Sequence, residues 1–145
     1  MRHRMAVALL SLIGLLVSTY LLLYKLGVVG TLVCASGDSC ERVQASPWAD
    51  FLGIPVAAYG VAGYLALLIV ALVGLGERWI ARPEPTRLLA AFSIPGVAFA
   101  AYLTYLELAV IHDVCSWCVV SAVLITGICV ASLAGLRGFR QARER

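Results

Sequence analysis

Four long apolar runs constrain this chain more than any other feature. They cover residues 5–24, 54–76, 88–111 and 114–136. A hydrocarbon layer about 30 Å thick is crossed by on the order of 20 helical residues, and only helices or closed barrels satisfy every backbone group in lipid. The first run carries no charge before Lys25, and the second stops at Glu77-Arg78. The third holds a single charge, Glu107, near its far end, and the fourth gives way to the tail "RGFRQARER". Of the 145 residues, 62% are hydrophobic and 13% charged, too apolar for a soluble protein of this size. The fold expected is all-α and integral to a membrane: a bundle of four transmembrane helices, forming one domain over 1–145.

The first run is read as a retained helix and not as a cleaved signal. Its uncharged length exceeds an ordinary signal core, and no small-x-small site precedes Gly27. "TLVC" ahead of Ala35 fails as a lipoprotein signal because Val33 is too large for the position before the cysteine.

Orientation follows from the basic residues. Arg2, Arg4, Arg78, Arg82, Arg87, Arg137, Arg140, Arg143 and Arg145 fall on one side, and only Lys25 and Arg42 on the other. The richer side is expected to be cytoplasmic. Both termini and the "ERWIARPEPTR" connection then lie inside, with Pro83 and Pro85 stiffening it. A long loop, 25–53, lies outside together with the tight turn at His112-Asp113. Trp48 and Trp117 suit the outer interface and Trp79 the inner one. The segment "ERVQASPWADFLG" is expected to lie along the membrane surface, interrupted at Ser46-Pro47. Gly60, Gly63, Ala57 and Ala58 should let the second helix pack closely. The net charge of +3 is accounted for by sidedness, and no Gly-rich phosphate loop or aromatic-basic stripe suggests nucleic acid.

The cysteines carry the chemistry. Cys34, Cys40, Cys115 and Cys118 all fall outside, where thiols are not held reduced by the cytosol. Cys129 lies deep in the fourth helix and reads as an inert buried thiol. Cys115 and Cys118, three apart at a helix start, share a face within bridging distance. The free amides there favour a thiolate, and Asp113 is placed to cap the helix. Cys34 and Cys40 sit in a polar loop that can move and meet a soluble partner. Together they suggest a relay from a soluble dithiol to the loop pair, then to the helix pair, then to an acceptor in the bilayer. Two other readings use the same residues: static disulfides bracing the outer loops, or four thiolates around a structural zinc. No metal site is expected.

Two titratable residues near the outer end of the third helix are further candidates. Glu107 could accept a proton during dithiol oxidation, although near the interface it is expected to reach water. His112 reads as an ordinary surface histidine. Tyr59, Tyr102 and Tyr105 are candidates for the wall of a cavity between helices.

"CASGDSCERVQASPWADFLGIPVAAYGVAGY" followed by "CSWC" at the head of the fourth helix resembles the vitamin K epoxide reductase family, specifically its bacterial homologues. The order carries the resemblance: a spaced cysteine pair in the first outer loop, a Ser six positions after its second cysteine, then "GIP", then CxxC. In the other quinone-linked four-helix family, DsbB, the CxxC comes in the first outer loop. The resemblance implies that Cys34 takes electrons from the protein substrate and that Cys40 exchanges with Cys115. It implies that Cys118 faces a quinone (menaquinone, ubiquinone or a relative), with Ser46 near its head group; Tyr59 would join them in the pocket. It also implies disulfide-bond formation in a bacterial inner membrane through an extracytoplasmic thioredoxin-like or DsbA-like partner, separate from this chain because the sequence stops after Arg145. Two positions depart from the vertebrate pattern. Ala122 stands where those enzymes have a tyrosine, and Val56 where they have an asparagine. A quinone held by fewer polar contacts is therefore expected, with quinone-epoxide reduction the alternative activity.

Overall fold

The computed structural model describes every residue except Met1 and Ser36. Four helices long and apolar enough to cross a membrane account for most of it: α1 (Arg2–Lys25), α3 (Val56–Gly74), α4 (Glu84–Leu106) and α5 (Ser116–Glu144). A short helix, α2 (Ser39–Ala45), occupies the long connection between α1 and α3. The protein is therefore a multi-pass, all-α membrane protein. Large apolar side chains such as Leu9, Leu16, Ile69, Phe92, Val123 and Val130 remain exposed along the spans, which fits a bundle whose outer surface is solvated by lipid.

α1 packs along both α3 and α5, α4 packs against α5, and a smaller contact joins α3 to α4. Close approach depends on small residues. Gly14 of α1 leaves space filled by the Tyr64 ring of α3, and Gly60 of α3 faces the Ser18 hydroxyl of α1. Gly63, expected to act in the same way, has nothing within 4 Å of where its Cβ would be. Tyr64 in turn donates to the Ser121 carbonyl of α5 at 2.8 Å.

The interior divides into two apolar clusters. One is built from Val7, Tyr64, Leu67, Ala71, Leu89, Ile125 and Ile128. The other, at the end that carries the loop, combines Val17, Leu21, Leu32, Val43 and Ala57 with Cys40 and Cys115. At the opposite end Arg4 is fully buried. It donates to the carbonyls of Gly74, Trp79 and Arg82 and to Thr86 Oγ1, so its guanidinium satisfies the Gly74 carbonyl that the end of α3 leaves open and two carbonyls of the connection that follows.

Three boundaries differ from the sequence expectation. α5 continues to Glu144 instead of stopping near 136, because hydropathy marks where lipid ends, and Arg, Gln, Ala and Glu are good helix formers beyond that point. α4 starts at Glu84, with Pro83 at its cap and Pro85 in its first turn, where a missing N–H costs nothing. Pro83 and Pro85 thus open a helix as well as stiffening a connection. Beyond Leu106 the chain widens into a π-helical turn, Glu107–Ile111, that ends at His112 in a left-handed conformation (φ +60°).

The connection between α1 and α3 breaks at Ser46, as expected. After α2 comes a 3-10 turn, Pro47–Ala49, then a two-residue hairpin, β1 (Asp50–Phe51) paired antiparallel with β2 (Ile54–Pro55). Both hairpin tip residues, Leu52 (φ +55°) and Gly53 (φ +78°), have positive φ, the geometry of a two-residue turn that matches strand twist.

Candidate functional site

Four of the five cysteines meet at one end of the bundle. Cys34 and Cys40 are joined as a disulfide, while Cys115, Cys118 and Cys129 are free thiols. Two of the four clustered sulfurs are thus bonded to each other, and the CxxC pair is open. Cys40 and Cys115 are both fully buried in the same cluster, and Cys34 and Cys118 pack against it with partial exposure. Of the two residues of the loop disulfide, Cys34 is therefore the more exposed.

The segment carrying Cys34 is tied down, contrary to the expectation of a loop free to move. Leu32 N–H donates to Glu41 at 3.0 Å, Val33 N–H to the Tyr20 hydroxyl at 3.1 Å, and the Trp117 indole to the Val33 carbonyl. Tyr20 and Trp117 meet edge to face at 5.4 Å. Polar groups in this connection that would bond water in an open loop bond instead to α1, α2 and the start of α5.

Ser116, inside the CxxC sequence, lies directly against the disulfide. Its Oγ lies 3.2 Å from Cys34 Sγ and 3.5 Å from Cys40 Sγ, and it accepts the Ala35 N–H at 3.3 Å. Cys115 is the N-cap of α5. Asp113, expected in that role, instead makes a two-point contact with Arg42 of α2: Nε to Oδ2 at 3.0 Å and Nη2 to Oδ1 at 2.9 Å, with the Ser39 hydroxyl donating as well. The hydrogen bond from Arg42 holds the Asp113 carboxyl below its ordinary pKa. Such a forked pair is geometrically specific, and it fastens α2 to the turn before Cys115.

Behind the sulfurs lies a cavity of about 410 Å³, walled by α1, α2, α3, α4 and α5, with Cys118 in its lining. Its volume falls in the range of small-molecule sites, roughly 300–1,000 Å³. Val56 and Ala122, the two positions that depart from the vertebrate pattern, are both in the wall. Gln44 is there too, its amide donating toward Cys118 Sγ at 3.8 Å.

The other expected pocket residues divide. Tyr59 lines the cavity, but its hydroxyl is engaged by the Phe51 carbonyl at 2.9 Å, so it contributes ring surface. Tyr102 lines a separate hollow with Trp48, Phe51 and Leu52, and Tyr105 is exposed. Tyr64 and Thr104 occupy the wall in their place. Ser46 is not among the lining residues: its hydroxyl donates to the Val43 carbonyl at 2.7 Å as α2 ends.

Glu107 corrects the expectation that it reaches water. It is buried, lines the cavity, and its Oε2 accepts the Cys115 N–H at 3.2 Å. His112 is exposed. Cys129 is only partly buried on α5, not enclosed as expected.

Gln44 and Ser116 were missed in the sequence, and each had a signal. Gln44 lies four residues after Cys40 and shares a helix face with it; Ser116 lies between the cysteines of the CxxC. Glu107 as a site residue had the signal of any carboxylate within an apolar run.

Four spans, a disulfide and a dithiol packed together at one end define a membrane thiol oxidoreductase. The sequence matches the vitamin K epoxide reductase family over residues 5–133. The chain belongs to that family.

Proposed function

We propose that this protein oxidises the dithiol of an extracytoplasmic thioredoxin-like or DsbA-like protein and passes two electrons to a membrane quinone, supporting disulfide-bond formation. The observation that carries the reading is the arrangement of a closed Cys34–Cys40 disulfide beside a reduced Cys115/Cys118 pair that borders an apolar cavity. Nine of eleven basic residues on one side support cytoplasmic termini and extracytoplasmic cysteines, in the inner membrane of a bacterium, with residues 1–145 acting as one domain.

The chemistry follows from accessibility. A partner thiolate attacks Cys34, the more exposed residue of the pair, and Cys40 leaves as a thiolate with the Ser116 hydroxyl in reach. A second partner thiol then attacks the mixed disulfide, which releases the partner oxidised. The Cys40 thiolate attacks Cys115 of an oxidised Cys115–Cys118 pair and Cys34 closes the loop disulfide again, which leaves both electrons on Cys115 and Cys118. This is the redox arrangement of the cysteines in the fold. Menaquinone, ubiquinone or a relative supplies a two-electron, two-proton acceptor when bound. The cavity residues fit such a group: apolar walls at Val56, Leu103 and Ala122, with the Gln44 amide and Cys118 at the sulfur end. Pinning of the Cys34 segment and burial of Cys40 and Cys115 keep water from the exchanging sulfurs.

Stopped-flow absorbance of the protein in lipid, mixed with a reduced thioredoxin-like partner and a quinone, tests the reading. Wild type should reduce quinone and Cys118→Ser should not. Quinone reduction at an unchanged rate in Cys118→Ser would refute the path.

A further inference from the structure

The position of Glu107 is costly. A carboxylate within an apolar span is retained only where partners compensate it, and no Lys, Arg or His forms an ion pair with Glu107 among the described residues. Its partners belong to the CxxC instead. Oε2 accepts the backbone N–H of Cys115 at 3.2 Å, and the Cys118 thiol lies within hydrogen-bonding reach of the same carboxylate. Glu107 and Cys118 also share the wall of the large cavity. The backbone that presents Glu107 is the first residue of the π-helical turn, a local widening found frequently at functional sites.

Thiol and carboxylate thus border one cavity, and that arrangement solves a proton problem. Closing the Cys115–Cys118 disulfide breaks two S–H bonds, forms one S–S bond and releases two electrons and two protons. Reduction of a quinone to its hydroquinone takes up two electrons and two protons, so the reaction balances with what the dithiol releases, and a base beside the sulfur gives the protons a short route to the acceptor. Among the described residues that line the cavity, Glu107 is the one carboxylate; Asp113 and Glu41, near the sulfurs, are engaged with Arg42 and the Leu32 amide.

We infer that Glu107 is a catalytic general base and acid of the helix dithiol, taking the proton of Cys118 as its sulfur becomes nucleophilic and returning it into the cavity. The inference rests on the quinone-linked reading above. Its backbone contact has a second consequence: the Cys115 N–H, donating to Oε2, holds the carboxylate beside the thiol while the proton is away.

Glu107→Gln separates the two parts, because a glutamine carbonyl still accepts the Cys115 N–H but cannot carry a proton. Single-turnover oxidation of the reduced helix pair by quinone should slow about 10²-fold, the lower range for losing a general base. Reduction of the Cys34–Cys40 disulfide by a soluble thioredoxin-like protein should be unchanged, since Glu107 touches neither sulfur. In the reduced protein with no quinone added, the infrared S–H band of Cys118 should move to higher frequency, because a neutral amide accepts a weaker hydrogen bond than a carboxylate. Glu107→Asp, which keeps the charge, should recover part of the rate.

Wild-type quinone reduction in Glu107→Gln, or an unmoved Cys118 S–H band, overturns the inference. A loss of loop-disulfide exchange equal to the loss of quinone reduction overturns it as well, in favour of a purely structural role. A wild-type protein that reduces no quinone, with the S–H band still shifted by Glu107→Gln, removes the quinone reading and leaves the carboxylate–thiol contact standing.

Discussion

The Ser116 hydroxyl has one proton, and its acceptor side is already occupied by the Ala35 amide. That proton is left for sulfur, at 3.2 Å from Cys34 and 3.5 Å from Cys40. A thiolate released from the loop disulfide is a better leaving group when it is hydrogen-bonded as it forms. Ser116→Ala should therefore slow reduction of the loop disulfide by a thioredoxin-like protein about tenfold, the kinetic equivalent of one hydrogen bond of roughly 1–1.5 kcal/mol. Stopped-flow tryptophan fluorescence of the partner reads that rate directly, and a rate equal to wild type would show that the hydroxyl serves only to anchor Ala35. The cysteines could be singled out in the sequence because sulfur chemistry depends on spacing and side. Ser46 could not be told from Gln44 there: both are polar and close to Cys40, and only the register of α2 turns Gln44 inward and leaves Ser46 at the helix end.

At the scale of elements, the number and order of the four spans could be read from hydropathy, while their ends could not. A helix end is set by capping and by what the backbone meets, as the π-helical turn after Leu106 and the extension of α5 illustrate. Contacts between helices were equally hidden, since Gly14 carried no signal that distinguished it from other small residues in the first run. Its lack of a side chain is what admits Tyr64, which in turn bonds α3 to Ser121 of α5. Gly14→Ala places a methyl group inside the space of that ring and forces Tyr64 off its partner. We expect a loss of about 1–3 kcal/mol, the usual cost of overpacking, measured as a lower melting temperature in detergent. An unchanged melting temperature would mean that α1 and α3 separate to accommodate the methyl without cost.

Taken as a whole, the molecule is fastened at both ends. Arg4 gathers the carbonyls of Gly74, Trp79 and Arg82 at one, and Lys25 at the other donates to the Gln44 carbonyl at 2.7 Å and pairs with Asp50 at 3.5 Å. Between these clamps α5 runs unbroken for 29 residues, about 43 Å at 1.5 Å per residue. From Cys118 to Arg137, the first charged residue after it, the rise is about 28 Å, close to the thickness of the hydrocarbon layer. α5 is thus a ruler with a thiol at one mark and arginines at the other. A thicker bilayer would draw Cys118 beneath the lipid surface, and a thinner one would lift it toward water, each at a modest mismatch cost. Electron transfer to quinone should accordingly pass through a maximum as acyl-chain length is varied in reconstituted vesicles, whereas a flat profile would mean that tilt absorbs the mismatch. The membrane's own thickness would then act as a tuning parameter of the redox reaction, adjusting how near a lipid-dissolved acceptor comes to the sulfur without any change in the protein's covalent structure.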